Sequence, residues 1–135
     1  MNIDSIQNGI VLDHIPAGRG MKIYHYLHLD EMDWPVAIIK NAPSTKMGKK
    51  DILKIDGDIV LDLQALGYIA PGITVNVIRD GKTVRKDHPA LPRRLVNVKI
   101  CKNPRCITAT EPELDQVFLL RDDLGGEYRC LYCES

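Results

Sequence analysis

The chain has no excess of either charge, since 18 Lys and Arg are matched by 18 Asp and Glu across 135 residues. Nucleic-acid backbones are bound largely by releasing counterions to a cationic surface, so generic DNA or RNA binding is disfavoured. Aromatic residues make up only 5%, which leaves few platforms for stacking single-stranded bases. No apolar stretch approaches the roughly 20 residues needed to cross a bilayer. The start, MNIDSIQNGIV, has neither a basic head nor an apolar run of signal length, so a reducing compartment, the cytoplasm, is expected. Catalytic signatures are missing too. There is no Gly-rich phosphate loop, no dinucleotide fingerprint, no G-x-S-x-G, and His14, His25, His28 and His88 fall in no metal-catalytic spacing. Any nucleotide would be held without a P-loop, as a signal in preference to a substrate.

What is present begins with four cysteines, Cys101, Cys106, Cys130 and Cys133, spaced C-x4-C and then C-x2-C. Two short pairs separated by a longer stretch let two tight turns each offer two thiolates to one tetrahedral Zn²⁺. With all four positions taken by protein, no metal-bound water remains, so one structural ion per chain is expected to fold a domain and not to catalyse. Two disulfides or buried thiols are the competing readings, and the expected reducing compartment weighs against disulfides. Redox dithiol chemistry fits poorly, because Cys130 and Cys133 do not open a helix after a strand.

The cysteine cluster favours two small domains. Residues 1–88 read as the first, 89–95 as a proline-containing semi-rigid connector, and 96–135 as the metal-binding part. Gly9 to His14 reads as a strand, Met21 to His28 as a helix, Trp34 to Ile39 as a strand, Asn41 to Gly48 as a turn, and Lys49 to Asp56 as an alternating strand. Asp58 is expected to cap a short helix through Leu61, Leu63 and Leu66. Ile73 to Arg79 and Lys82 to Asp87 pair across Asp80-Gly81, a strong two-residue hairpin signal. This order predicts an α+β fold, a ferredoxin-like sandwich of an antiparallel sheet with two helices. A small antiparallel zinc-ribbon or rubredoxin-like domain follows, with strands at Val96 to Ile100, Gln116 to Arg121 and Glu127 to Leu131 and a turn at Gly125-Gly126.

Alternation places Lys50, Ile52 and Lys54 on one strand face and Leu53 and Ile55 on the other, which is the core. Two ammonium groups about 7 Å apart repel unless an anion bridges them, which suits a polyphosphate, although the pattern alone favours the blander reading of a solvated strand face. Asp13 and His14, just before Ile15-Pro16, could meet ribose hydroxyls or phosphate oxygens, or could simply satisfy backbone groups at a strand end.

Taken together, Val11-Leu12-Asp13-His14-Ile15-Pro16-Ala17, Lys46-Met47-Gly48-Lys49-Lys50-Asp51, Lys54-Ile55, Thr74-Val75-Asn76, Pro89-Ala90-Leu91-Pro92, the Cys101 to Ile107 knuckle and Cys130 to Glu134 carry a resemblance. In order and spacing they resemble the regulatory chain of aspartate carbamoyltransferase over nearly the whole length. The resemblance implies a non-catalytic allosteric subunit of pyrimidine biosynthesis, paired as a homodimer through its N-terminal domain and docked on catalytic trimers through its zinc domain. It implies CTP and ATP as effectors, with UTP a further candidate, at a site formed by Asp13, His14, Lys50, Lys54, Asn76, Ile78 and Lys86, with Ile6 and Val11 beside the base. Arg105 and Glu134 are implied at the partner interface. Strict alternation puts Thr83 and Arg85, not Lys86, on the face of Asn76 and Ile78, unless a bulge re-aims the strand. The second helix is shorter than the family's usual one, and Gly81 stands where an aromatic often lies near the base. The family usually continues several residues beyond the fourth cysteine, so a thinner last edge of the zinc domain is expected. The alternative is a stand-alone zinc-ribbon nucleic-acid-binding protein using Arg93, Arg94, Lys99, Lys102 and Arg105. A small zinc enzyme is the poorest reading.

Overall fold

The computed structural model describes residues 6–122 and 127–135, and the chain divides into two compact units, Met1–Ala90 and Leu91–Ser135. In the first unit the elements are β1 (Gly9–Pro16), α1 (Gly20–Tyr26), a single 3-10 turn (Leu29–Glu31), β2 (Val36–Ser44), β3 (Gly48–Ile55), α2 (Leu63–Ile69), β4 (Thr74–Arg79) and β5 (Lys82–Asp87). All neighbouring strands are antiparallel, in the order β2-β3-β1-β4-β5. That is the split βαβ, ferredoxin-like arrangement with one strand added at an edge.

Period-two alternation makes the sheet two-faced. Ile10, Leu12, Leu53, Ile55 and Val75 point to the rear, where they pack with Ile23 of α1, Leu66 of α2 and Ala70 just after it in one core. Leu12, Leu53, Ile55, Ile23 and Leu66 are fully buried, and each such aliphatic side chain contributes about 1.5–3 kcal/mol. The front face carries Lys50, Ile52 and Lys54, all of them partly buried.

Several boundaries differ from the sequence reading. The cap of α2 is Asp62, whose side chain accepts from the Gln64 and Ala65 N–H groups at 3.1 and 3.3 Å. Asp58 lies upstream and pairs instead with Arg79 at 2.7 Å. Helix α1 stops at Tyr26 because His28 adopts φ 54° and starts the 3-10 turn. Strand β2 runs on to Ser44 through residues expected as a turn. It does so by a bulge at Asn41, where φ is 58° and the register against β3 slips between Ile39 and Ala42. At the β4–β5 hairpin both turn residues take positive φ, Asp80 at 53° and Gly81 at 75°, the geometry that matches the twist of the flanking strands.

The second unit is a three-stranded antiparallel sheet ordered β6-β7-β8, from β6 (Arg94–Val96), β7 (Val117–Asp122) and β8 (Glu127–Cys130), with one helical turn, α3 (Ile107–Thr110). Arg94 and Leu95, read above as connector, are thus paired with Leu119 and Phe118. The strand expected to continue to Ile100 ends at Val96. Asn97 takes φ 58°, donates its N–H to the Gln116 carbonyl at 2.7 Å, and uses its side chain on Asp115 and the Gln116 N–H. The Gly125-Gly126 turn lies outside the described residues. Leu95, Val117, Phe118 and Tyr128 make the apolar interior, and the Tyr128 hydroxyl donates to the Pro92 carbonyl at 2.6 Å. That is a small core for a three-stranded sheet, and domains this short commonly depend on a disulfide, a metal or a partner for stability. Among the described residues no helix is long and apolar enough to cross a membrane.

Candidate metal centre and effector face

Strand β8 delivers Cys130 to the interior and a turn brings Cys133 back, with the Glu134 N–H donating to the Cys130 carbonyl at 2.9 Å. Across from them, Cys101 N–H donates to the Gln116 side chain at 3.0 Å, and Cys106 opens α3 after a turn in which its N–H donates to the Asn103 carbonyl. The four Sγ atoms lie within 4.8 Å of one another. Cys101 to Cys133 is 3.6 Å and Cys106 to Cys130 is 3.7 Å. Four Zn–S bonds of 2.3 Å in a tetrahedron give edges of about 3.8 Å, so the quartet has the dimensions of a four-thiolate zinc site. The thiols are free, not paired as disulfides.

Charge makes the same point. Burial pushes the Cys101 thiol up to about 12, while hydrogen bonding with Ser135 brings Cys133 down to about 6. Four thiolates this close need a cation to coexist. The Thr108 hydroxyl donates to the Cys106 Sγ at 3.2 Å, and both residues are buried, the outer-shell bond that orients a ligand. Arg105 is exposed on the knuckle. Glu134 is held near Arg121 at 3.5 Å, and its carbonyl accepts from Arg129 at 3.3 Å.

The second candidate is the front face of the first unit. Directly opposed residues share a face, and the register aligns Ala37, Lys54, Val11, Asn76 and Lys86 in one row across all five strands. Lys86 joins the row because the β4–β5 register slips between Val77 and Ile78, which sends Arg85 to the rear opposite Val77 and leaves Thr83 opposite Ile78. Beside this row opens a cleft of about 390 Å³ lined by Ile6, Gln7, Val11, Asp13, Ile52, Lys54, Ile78 and Gly81, within the size range of small-molecule sites. His14, Lys50, Asn76 and Lys86 stand outside its lining.

Lys50 and Lys54 are four residues apart on β3 with Ile52 between them, about 13 Å along the strand, and not the 7 Å of adjacent same-face positions. Lys50 Nζ meets Asp13 Oδ1 at 3.0 Å with both side chains partly buried. Burial pushes the Asp13 carboxyl up, but the His14 N–H at 2.6 Å and the Lys50 ammonium outweigh it and hold the group below its ordinary 3.8. His14 sits at φ 57° in a bulge where the β1–β3 register slips between Leu12 and Ile15. Its ring lies 3.0 Å from Thr74 Oγ1, opposite Asp13.

Sequence reading missed Gln7 and Asp51, and it placed Ile52 on the face of Lys50 and Lys54 without giving it a role. Gln7 carries no motif. Asp51 had a signal: it occupies an inward position between core residues, where a charge is the informative anomaly.

Both units find relatives. The family model described as "Aspartate carbamoyltransferase regulatory chain, allosteric domain" matches residues 1–90, and "Aspartate carbamoyltransferase regulatory chain, metal binding domain" matches residues 93–135. The aspartate carbamoyltransferase regulatory chain of Clostridium botulinum is 50% identical over 135 residues, covering 100% of this chain and 92% of that one. The same-named proteins of Bifidobacterium longum and Clostridium acetobutylicum are 47% and 48% identical over 100% of this chain, covering 97% and 92% of theirs.

Proposed function

The chain belongs to the family of aspartate carbamoyltransferase regulatory chains, and from that premise we propose that the front-face cleft is its nucleotide effector site. Membership makes it a regulatory and not a catalytic chain in pyrimidine biosynthesis, with an allosteric and a metal-binding domain, associated with the catalytic chain. The stand-alone nucleic-acid-binding alternative is not favoured, because family models account for both units.

The row of Lys54, Val11, Asn76 and Lys86 beside the cleft carries the proposal. Ile6, Val11 and Ile78 offer an apolar wall for a base, while Lys54 and Lys86 offer cations to phosphates from either side. In the same proposal Asp13 and His14 serve the ribose and its neighbours, and Lys50 exchanges its pairing with Asp13 for phosphate. CTP, ATP and UTP are the ligands proposed, bound in the cytoplasm by a homodimer formed through residues 1–88. The metal unit, residues 96–135, with Arg105 and Glu134 in its interface, docks on catalytic trimers, and residues 89–95 connect the two. Zinc bound by the four cysteines supplies no chemistry beyond holding that surface. Effector coupling of about 1–3 kcal/mol is typical of such systems.

Calorimetric titration with each nucleoside triphosphate tests this, before and after Lys54→Met, which should weaken binding about tenfold or more by removing a charged phosphate contact. Absence of binding by every triphosphate, together with an unshifted substrate curve in the assembly with catalytic chains, refutes the effector reading.

A further inference from the structure

Among the described residues, Asp51 is the charged side chain with no exposed surface. It lies on the rear face of β3, where Leu53 and Ile55 build the core, and a carboxylate there must be fully hydrogen-bonded to remain charged. It is bonded on both oxygens. Oδ2 accepts the Gly18 and Gly20 N–H groups at 3.0 and 2.9 Å, and Oδ1 accepts the Asn41 N–H at 3.0 Å. Three donors converging on two oxygens call for an acceptor-only group, which Asn is not.

The groups it ties together are the two departures from regular pairing that flank it. On one side the β1–β3 register slips between Leu12 and Ile15, and Ile15 pairs with Asp51 itself. On the other the β2–β3 register slips between Ile39 and Ala42, with Asn41 at φ 58°. The extra residue in β1 has a specific effect. Regular alternation would put Val11, Asp13 and Ile15 on one face, whereas here Ile15 is buried in the core and Asp13 lines the cleft. The bulge therefore turns Ile15 to the core while Asp13 stays on the front face, 3.0 Å from Lys50, the residue next to Asp51 on β3.

We propose that Asp51 is a positioning residue for the effector cleft: by fastening the β1–α1 turn and the β2 bulge to β3, it sets where Lys50 and Asp13 present themselves to a nucleotide. This rests on the nucleotide reading of that cleft. Asp51 acts through its neighbours and does not touch the ligand.

The test is a double-mutant cycle on nucleotide affinity in the assembled complex, with CTP and ATP as probes. Asp51→Asn should weaken binding about tenfold, and Lys50→Met should weaken it by its own factor. If Asp51 works by placing Lys50, the double variant should bind about as weakly as Lys50→Met alone, because contacting sites are non-additive. Multiplicative losses, or unchanged affinity in Asp51→Asn, overturn the proposal. A merely structural role would lower the unfolding midpoint while leaving the affinity of the folded protein in place. Should Asp51→Asn fail to fold, Gly20→Ala takes its place in the cycle, since a Cβ there would stand 3.0 Å from Oδ2 and displace the carboxylate. An additive cycle for that variant overturns the proposal equally. Wild-type protein that binds neither probe would instead refute the effector reading itself.

Discussion

Replacing Cys106 by Ser should melt the metal unit and spare the other. Cys106 is 2% exposed, its Sγ lies 3.7 Å from that of Cys130, and it accepts the Thr108 hydroxyl. Structural zinc contributes about 10–16 kcal/mol in small metal domains, so one of four ligands carries roughly 2.5–4 kcal/mol. A unit of the length of Leu91–Ser135 has a net stability of roughly 2–7 kcal/mol at ordinary values per residue. Loss of one thiolate thus removes at least about a third of the stability and up to all of it, and full chelation removes all of it. Hydrogen exchange on peptides covering β7 and β8 measures the effect directly. The single tryptophan of the chain, Trp34, packs against the core of the first unit and reports on that unit alone. Protection in β7 and β8 should collapse while Trp34 emission holds. Persistent protection after chelation, with zinc confirmed absent, would refute the claim that metal compensates for the thin core.

Thr108→Val removes the hydroxyl bonded to Cys106 and should lower zinc affinity about 10-fold or more in a chelator competition. Gly57→Ala would drive a Cβ into the Trp34 ring, so it should cost about 1–3 kcal/mol in urea unfolding followed by Trp34 fluorescence. Asp13 and Asp51 both have carboxyls held below their ordinary 3.8; for Asp51, burial raises the value and the Asn41, Gly20 and Gly18 N–H groups more than offset it. A depressed folded pKa gives stability that is complete above the unfolded value and disappears as pH falls through the folded one. Urea midpoints of the first unit should therefore lose this contribution only below about pH 4, and a loss centred near pH 6 would contradict it.

Much of this molecule is legible in its sequence because the signals are strong and local. Alternation from Lys50 to Ile55 fixes both faces of β3, Asp80-Gly81 fixes a hairpin, and the cysteine spacing fixes a metal site. The departures arise where a side chain competes with the local pattern. Asp62 outcompetes Asp58 as a cap because only Asp62 stands where its oxygen reaches Gln64 and Ala65. The bulges at His14 and Asn41 flank Asp51, whose carboxylate bonds the Gly18, Gly20 and Asn41 N–H groups, and no periodicity announces them or the slip opposite Val77. Lys86 illustrates the result: alternation alone assigns it to the rear, and the register puts it in front.

The row from Lys54 to Lys86 runs across the strands, not along them, through β3, β1, β4 and β5. A molecule that grips both ends is a crossbar on one surface of a flexible ribbon. Drawing those ends together on one surface must spread the opposite one, where Ile23 and Leu66 seat the helices. If the proposed nucleotide site holds, sheet curvature, more than the motion of any single loop, is the quantity through which this domain would register its ligand.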